Sequence, residues 1–301
     1  MTQPRIGIAG VGRMGTPMAR RLLDAGYEVS VFDVNADAVQ ALVDAGASSA
    51  ATPARLRGMA DIVLMSLPMP AIVRDVALGE NGIVKGSGAS IVVDLSTTGP
   101  SVAREVAAGF QAAGIIPVDC PVSGGVGGAE KGTLAMMVGC ASSVYPEVLP
   151  VLETLGKPTH IGEEPWMGQM LKVLNNIISV ASLAIASEAL VLGTKAGLDP
   201  EVMMDVINGG TGRTNATTDK IPKFVLTRSF DFGFAIGLSA KDLRLCIEES
   251  EAHGVPMVVG SAVKQLVNIT KGRLGPDADL TEIIRPIEEW AGVEVAGKGQ
   301  V

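Results

Sequence analysis

Lys172 and Asn176 stand four residues apart in an otherwise largely apolar run, Gly168-Gln169-Met170-Leu171-Lys172-Val173-Leu174-Asn175-Asn176. At helical pitch that spacing projects both side chains from one face. A lysine withdrawn from water loses some affinity for its proton, which suits it to general acid–base work near neutral pH. The same pair has a plainer reading, in which the lysine snorkels to solvent past its stem and Asn176 satisfies a backbone group. Spacing alone does not choose between them.

Two further clusters could do chemistry. In Asp119-Cys120-Pro121-Val122-Ser123-Gly124-Gly125, the Ser-Gly-Gly turn offers consecutive backbone N–H groups and a hydroxyl, a set that can cradle a carboxylate. A flexible glycine-rich connection would look the same. Lys241-Asp242 follows Phe230-Asp231-Phe232-Gly233-Phe234 and opens a late helical pattern from which Lys241 could reach a bound cofactor. Solvated salt links at a helix start are the alternative there.

The signal for a cofactor is stronger. Ile6 to Ala9 reads as a strand running into Gly10-Val11-Gly12-Arg13-Met14-Gly15 and then a helix. The first glycine permits a tight turn, the second lets backbone approach a pyrophosphate, and the third lets helix and strand pack closely. The helix N-terminus then faces the phosphates. Asp33 ends the next strand about 20 residues on, where a carboxylate accepts from the ribose hydroxyls and repels a 2′-phosphate. No Arg or Lys lies between Arg21 and Arg55, so NAD is expected rather than NADP. Asp33 could also cap its own loop. Leu67-Pro68 and Ser96-Thr97 follow two more strands, at the carboxyl ends where ligands of open α/β sheets bind, though ordinary strand-end turn chemistry would look the same.

The elements that must position these residues fall into two halves. Strand patterns occur at Arg5–Ala9, Glu28–Asp33, Asp61–Leu67, Ser90–Leu95, Ile115–Asp119 and Thr133–Val138. Helical patterns such as Met14–Ala25 and Ala36–Ala45 lie between them and close at Gly26 and Gly46. That alternation predicts an α/β fold, a doubly wound and mostly parallel sheet in a Rossmann domain over residues 1–162. After Gly162 the strand signal stops. Gly168–Ala196, Pro200–Asn208, Ala240–His253 and Met257–Lys271 read as helices, so residues 163–301 are expected to form an all-helical domain, with Gly297–Val301 frayed.

Composition narrows the partners. With 301 residues, 47% hydrophobic and 19% charged, the chain is long and apolar enough for two buried cores. A net charge of −8 argues against nucleic acid, which needs a cationic footprint. Three cysteines, Cys120, Cys140 and Cys246, are widely spaced and suggest neither a disulfide framework nor a zinc site. Met1 runs almost directly into the first strand, which leaves no room for a signal peptide. The apolar run from Ile177 to Leu192 carries Glu188 and is short for a bilayer span, so no membrane role and a cytoplasmic location are expected.

Taken in order, four of these motifs resemble the β-hydroxyacid dehydrogenase family, over nearly the whole chain. Gly7 to Ala19 is similar to its opening motif, and Asp119 to Gly125 to its substrate motif, with Cys120 in an alanine's place. Gly168 to Asn176 resembles its catalytic helix and Lys241-Asp242-Leu243 its late motif. The resemblance implies that Lys172 is the general acid–base residue and that Asn176 hydrogen-bonds the substrate. Ser123, Gly124 and Gly125 would hold the substrate carboxylate. Gly10, Gly12, Arg13, Met14, Gly15, Asp33, Leu67, Pro68, Thr97 and Lys241 would surround NAD, with no metal. The implied reaction moves hydride between NAD and a small 3-hydroxy acid, 3-hydroxyisobutyrate-like, or its semialdehyde, in a homodimer or homotetramer.

Two positions depart from the pattern. Trp166 replaces a usual glycine, which would narrow the cleft mouth, and Ile72 stands where some relatives have an asparagine near the cofactor. Three other readings stay open. A decarboxylase of the 6-phosphogluconate type is disfavoured by length and by Asn175, an imine reductase of this fold would usually lack Lys172, and a non-catalytic NAD-binding scaffold would have no use for the Lys172/Asn176 pair.

Overall fold

Short apolar runs become the centre of one sheet. The computed structural model describes residues 3–298. Its strands are β1 (Ile6–Ala9), β2 (Val29–Phe32), β3 (Ser48–Ser49), β4 (Ile62–Met65), β5 (Ile91–Asp94), β6 (Ile116–Asp119), β7 (Val122–Ser123), β8 (Leu134–Gly139) and β9 (Gly156–Gly162). They lie in the order β3-β2-β1-β4-β5-β6-β8-β7, with β9 beside β8. The first six strands run parallel, whereas β8 is antiparallel to β6 and β7.

Alternation along each strand feeds two cores. Ile6, Ile8, Ile62, Leu64, Ile91 and Val93 face one side, while Ala9, Val63, Met65 and Val92 face the other. Both faces are therefore apolar, as a parallel sheet covered by helices requires. The first core lies under α1 (Gly15–Asp24), α2 (Ala36–Val43), α6 (Gly125–Lys131) and α7 (Tyr145–Leu155). The second lies under α3 (Pro53–Met59), α4 (Pro70–Leu78) and α5 (Pro100–Ala112). Local chemistry starts several of these helices. Asn35 Oδ1 accepts from the N–H groups of Asp37 and Ala38, and Thr52 Oγ1 accepts from Arg55. Pro53, Pro70 and Pro100 occupy first turns, where a missing N–H costs nothing.

Strand order reverses between β1 and β4, and this switch point opens a crevice at their carboxyl ends. Gly10 follows β1, and Ser66-Leu67 follows β4. A second reversal of direction, at β8, turns the chain back past Ser123 before the sheet ends.

The remaining elements are helical: α8 (Met167–Lys195), α9 (Pro200–Gly209), a π-helical stretch Ala216–Val225, α10 (Ile236–Ala252), α11 (Val258–Leu274) and α12 (Arg285–Ala291). The chain divides into two compact units, Met1–Lys172 and Val173–Val301, and α8 runs through the division. Some elements differ from expectation. Strands β3, β7 and β9 have no strong local pattern, and the π-helical stretch has no signature that a 3.6-residue period would reveal. Helix α10 starts at Ile236, so Lys241 and Asp242 lie within it rather than at its solvated start. The expected fraying is absent at Gly297 and Lys298, since Gly297 N–H donates to Leu226 O at 2.8 Å and Lys298 pairs with Asp199 at 2.9 Å. Residues 299–301 fall outside the described residues.

Helix α8 matches the expected Gly168–Ala196 to within a residue at each end and extends well beyond the apolar run Ile177–Leu192. Its 29 residues are enough, by length and composition, to cross a membrane. One side of it is buried in the fold, with Gln169, Lys172 and Ser187 among its buried side chains beside Val173, Ile177, Val180 and Leu183.

Candidate active site

The glycine loop is shaped by contacts that exclude side chains. Gly10 has φ +94°, and a Cβ there would lie 2.3 Å from Ser66 O. A Cβ on Gly15 would lie 1.9 Å from Gly10 O, so turn and helix can close only with glycine at both positions. At Gly12, by contrast, a Cβ would meet nothing within 4 Å. The crowded glycines build the turn, and the open one leaves backbone accessible to a ligand. No side chain caps α1, so its first-turn N–H groups have no partner from that source. Arg13 is exposed and Met14 half-buried beside them.

Asp33 stands where β2 ends, next to this loop. Its Oδ2 accepts from Val11 N–H at 2.7 Å and its Oδ1 from Asn35 N–H at 2.8 Å. It therefore does cap its loop. Each carboxylate oxygen still has a second lone pair, and the side chain is only partly buried, so it can also receive hydroxyl groups. Leu67 N–H donates to Ser96 Oγ at 2.9 Å, which joins the turns after β4 and β5. Pro68 is exposed and Thr97 half-buried in these turns. Together the residues fit a dinucleotide: an open Gly-rich turn, an uncapped helix N-terminus and a carboxylate at the neighbouring strand end.

The start of α8 is held by a network that sequence reasoning missed. Gln169 is fully buried, and its Oε1 accepts from the N–H groups of Thr98 (2.9 Å) and Gly99 (3.1 Å). Its Nε2 donates to Ser96 O and to Asp119 Oδ1, both at 2.9 Å, and its own N–H donates to Asp119 Oδ2 at 2.8 Å. Asp119 thus caps the helix that carries Lys172 from 50 residues away. A Cβ on Gly168 would lie 2.2 Å from Met137 O, so the helix can begin this close to the sheet only at a glycine.

Asp119 and Asp94 are paired in register across β6 and β5, both buried. Burial pushes the Asp119 carboxyl up to about 8, the hydrogen bonds from Gln169 oppose that rise, and the charge of Asp94 adds to it. The only prior sign of these roles was an uncharged polar residue directly after Gly168 and an acid at a strand end.

Lys172 is buried, at 7% exposure, which weighs against the reading in which it snorkels to solvent. Asn176, one turn on, donates through Nδ2 to Asp242 Oδ2 at 2.6 Å and accepts from Asn175 Nδ2 at 3.1 Å. Asp242 Oδ1 is 3.1 Å from Lys241 Nζ, an ion pair without hydrogen-bond geometry. Lys241 and Asp242 are both buried, not solvated. The late Lys-Asp pair therefore orients Asn176 on α8, a role for Asp242 that spacing could not reveal.

Ser123 pairs with Ala135 at the edge strand β7, and Gly124 and Gly125 follow with φ +133° and +63°. Ser123 is half-buried and the two glycines are exposed, so their polar groups can be approached from solvent. Trp166 packs its ring on the Arg104 guanidinium, 4.0 Å from the centroid, and Ile72 is exposed on α4.

Comparison with known proteins gives the family. Residues 5–168 match the NAD binding domain of 6-phosphogluconate dehydrogenase, and residues 167–287 match the NAD-binding region of NADP-dependent 3-hydroxyisobutyrate dehydrogenase. The chain is 36% identical to 2-(hydroxymethyl)glutarate dehydrogenase of Eubacterium barkeri over 97% of its length and 98% of that protein's. It is 33% identical to 3-sulfolactaldehyde reductase of Escherichia coli, over 96% and 97%. A Mycobacterium tuberculosis 3-hydroxyisobutyrate dehydrogenase solved with L-serine superposes with a TM-score of 0.87 at 31% identity, covering 95% of this chain and 99% of that one. With a Rossmann sheet, a dinucleotide loop and a buried lysine on the helix that follows, the chain is an NAD-dependent oxidoreductase and belongs to the β-hydroxyacid dehydrogenase family.

Proposed function

We propose that the protein interconverts a small 3-hydroxy acid, 3-hydroxyisobutyrate-like, and its semialdehyde, with Lys172 as the general acid–base. The observation that carries this reading is the burial of Lys172 on a helix whose start is clamped by Gln169 and Asp119. A desolvated, well-positioned lysine can take the proton of a hydroxyl during oxidation and return it to the oxygen during reduction. Asn176, oriented by Asp242, donates to the same oxygen or to the neighbouring carboxylate. Ser123, Gly124 and Gly125 hold the carboxylate through hydroxyl and backbone N–H groups. The glycine loop, Asp33, Leu67, Pro68, Thr97 and Lys241 hold NAD, which when bound supplies hydride acceptance and return. The names of relatives span hydroxymethylglutarate, sulfolactaldehyde and hydroxyisobutyrate, so the family sets the chemistry and the substrate must come from this chain's own side chains.

In this reading the enzyme works in the cytoplasm as a homodimer or homotetramer. What supports the assembly is a row of exposed apolar side chains at seven-residue intervals on α8: Leu171, Ile178, Ile185 and Leu192. A heptad row stays on one side of a helix and suits packing against a second copy.

The test is turnover of 3-hydroxyisobutyrate, 2-(hydroxymethyl)glutarate and 3-sulfolactaldehyde by wild-type and Lys172→Ala enzyme. Wild type should act on at least one of them, and the variant should lose about 100-fold or more in kcat, the usual worth of general-base help. NAD affinity should be unchanged. Near-normal turnover by Lys172→Ala would overturn the assignment.

A further inference from the structure

Three lysines are buried among the described residues: Lys172, Lys220 and Lys241. Lys172 and Lys241 lie in motifs already described. Lys220 lies in none, and at 3% exposure it is the most deeply buried of the three.

Its hydrogen-bond partners are polar but neutral. Nζ donates to Ser179 Oγ at 3.2 Å and to Asn215 Oδ1, and lies 5.2 Å from the centroid of the Phe232 ring. The π-helical winding of Ala216–Val225 places residues five apart over one another, which brings Lys220 to Asn215. No carboxylate forms an ion pair with Lys220 among the described residues, and its sequence neighbour Asp219 is bound to Lys223. Burial lowers its proton affinity, and the charge of Asp219 only partly restores it. A buried ammonium without a counter-ion is costly, and two acceptors leave one of its three N–H donors without a hydrogen-bond partner.

The position of this cation matters as much as its burial. Ser179 follows Asn176 by three residues on α8 and Lys172 by seven, so it falls on the same helical stripe as both, within about 20° of Lys172. Asn176 to Ser179 is less than one turn, a rise of about 4.5 Å. The ammonium of Lys220 therefore sits one step along the helix from the side chain that orients the substrate oxygen. Ser179 and Phe232 are partly exposed and Asn215 is exposed, so the cluster is not sealed in a core.

We propose that Lys220, with Ser179 and Asn215, is a second anion subsite, and that the substrate is a hydroxy acid carrying a second carboxylate distal to the reacting carbon. This rests on the reading of the reaction given above. The distal carboxylate supplies the missing counter-ion, accepting from Nζ and from the Ser179 hydroxyl. A monocarboxylic substrate leaves the buried charge uncompensated.

The experiment compares 2-(hydroxymethyl)glutarate with its distal monomethyl ester, using the full-length wild-type enzyme, Lys220→Met and Ser179→Asp. Methionine fills similar volume without charge, and the new aspartate pairs with Lys220 internally. Wild type should prefer the diacid by about 10- to 100-fold in kcat/KM, the worth of one charged hydrogen-bonded contact. In both variants that ratio should fall toward one, through a higher KM for the diacid. Equal use of diacid and ester by wild type overturns the proposal, as does a ratio that survives in whichever variants fold. Wild-type turnover of 3-hydroxyisobutyrate without any preference for the diacid removes the subsite but leaves the proposed reaction standing. No turnover of any hydroxy acid removes both.

Discussion

At the scale of single residues, Asp33 shows how one carboxylate can serve two purposes. It accepts from Val11 and Asn35 N–H groups, which fixes the glycine loop, and in the proposed reading its remaining lone pairs accept from ribose hydroxyls. A 2′-phosphate at that position would meet a negative charge with no cationic side chain nearby in sequence. We expect kcat/KM with NAD to exceed that with NADP, and Asp33→Ala to narrow the ratio by about 10-fold or more. Steady-state kinetics with the two cofactors checks this, and a wild-type preference for NADP would sink it. Because Asp33 also orders the loop, the variant should lose some affinity for both cofactors.

At the scale of elements, the start of α8 is where positions are set. Asp119 reaches the helix across 50 residues, and Gln169 ties the same helix to the turn after β5. This arrangement has a consequence for pH. The Asp119 carboxyl holds its proton up to about 8 in the fold, against an ordinary value of 3.8. Below that ordinary value both folded and unfolded chains are protonated. Between the two values only the folded chain keeps the proton, so the stability contributed is lost as pH rises toward about 8, and it is flat above. Asp119→Asn carries no such proton. Its urea midpoint should fall less than that of wild type between about pH 5 and about pH 8, even though its absolute stability is lower. Equal falls in the two proteins would show that Asp119 titrates normally.

For the whole molecule, the exposed row on α8 is the feature that a single chain leaves unused. Large apolar side chains repeated on one helix face mark contact surfaces more often than they mark solvent-facing ones. The wild-type protein should sediment as a multiple of its 30.9 kDa chain. The double variant Ile178→Asp, Ile185→Asp should sediment as a monomer, because a buried unpaired carboxylate costs more than the apolar contact it replaces. Sedimentation velocity distinguishes these outcomes, and a monomeric wild type would end the heptad argument.

Much of the frame was legible in the chain itself. The alternation of apolar residues and the glycines at Gly10, Gly12 and Gly15 act within a few residues, so they can be read without a fold. The same holds for Lys172 and Asn176, whose shared face follows from helical pitch. The two-residue strands β3 and β7 and the π-helical stretch were not legible, since two residues of strand have no period and a wider helix has a different one. The long-range polar partnerships were not legible either. Asp119 meets Gln169 across 50 residues, Lys220 meets Ser179 across 41, and Asn176 meets Asp242 across 66. Each is a hydrogen bond between polar groups that leave no periodic trace in sequence. It becomes specific only when folding removes water and brings the two ends of a long loop to one place.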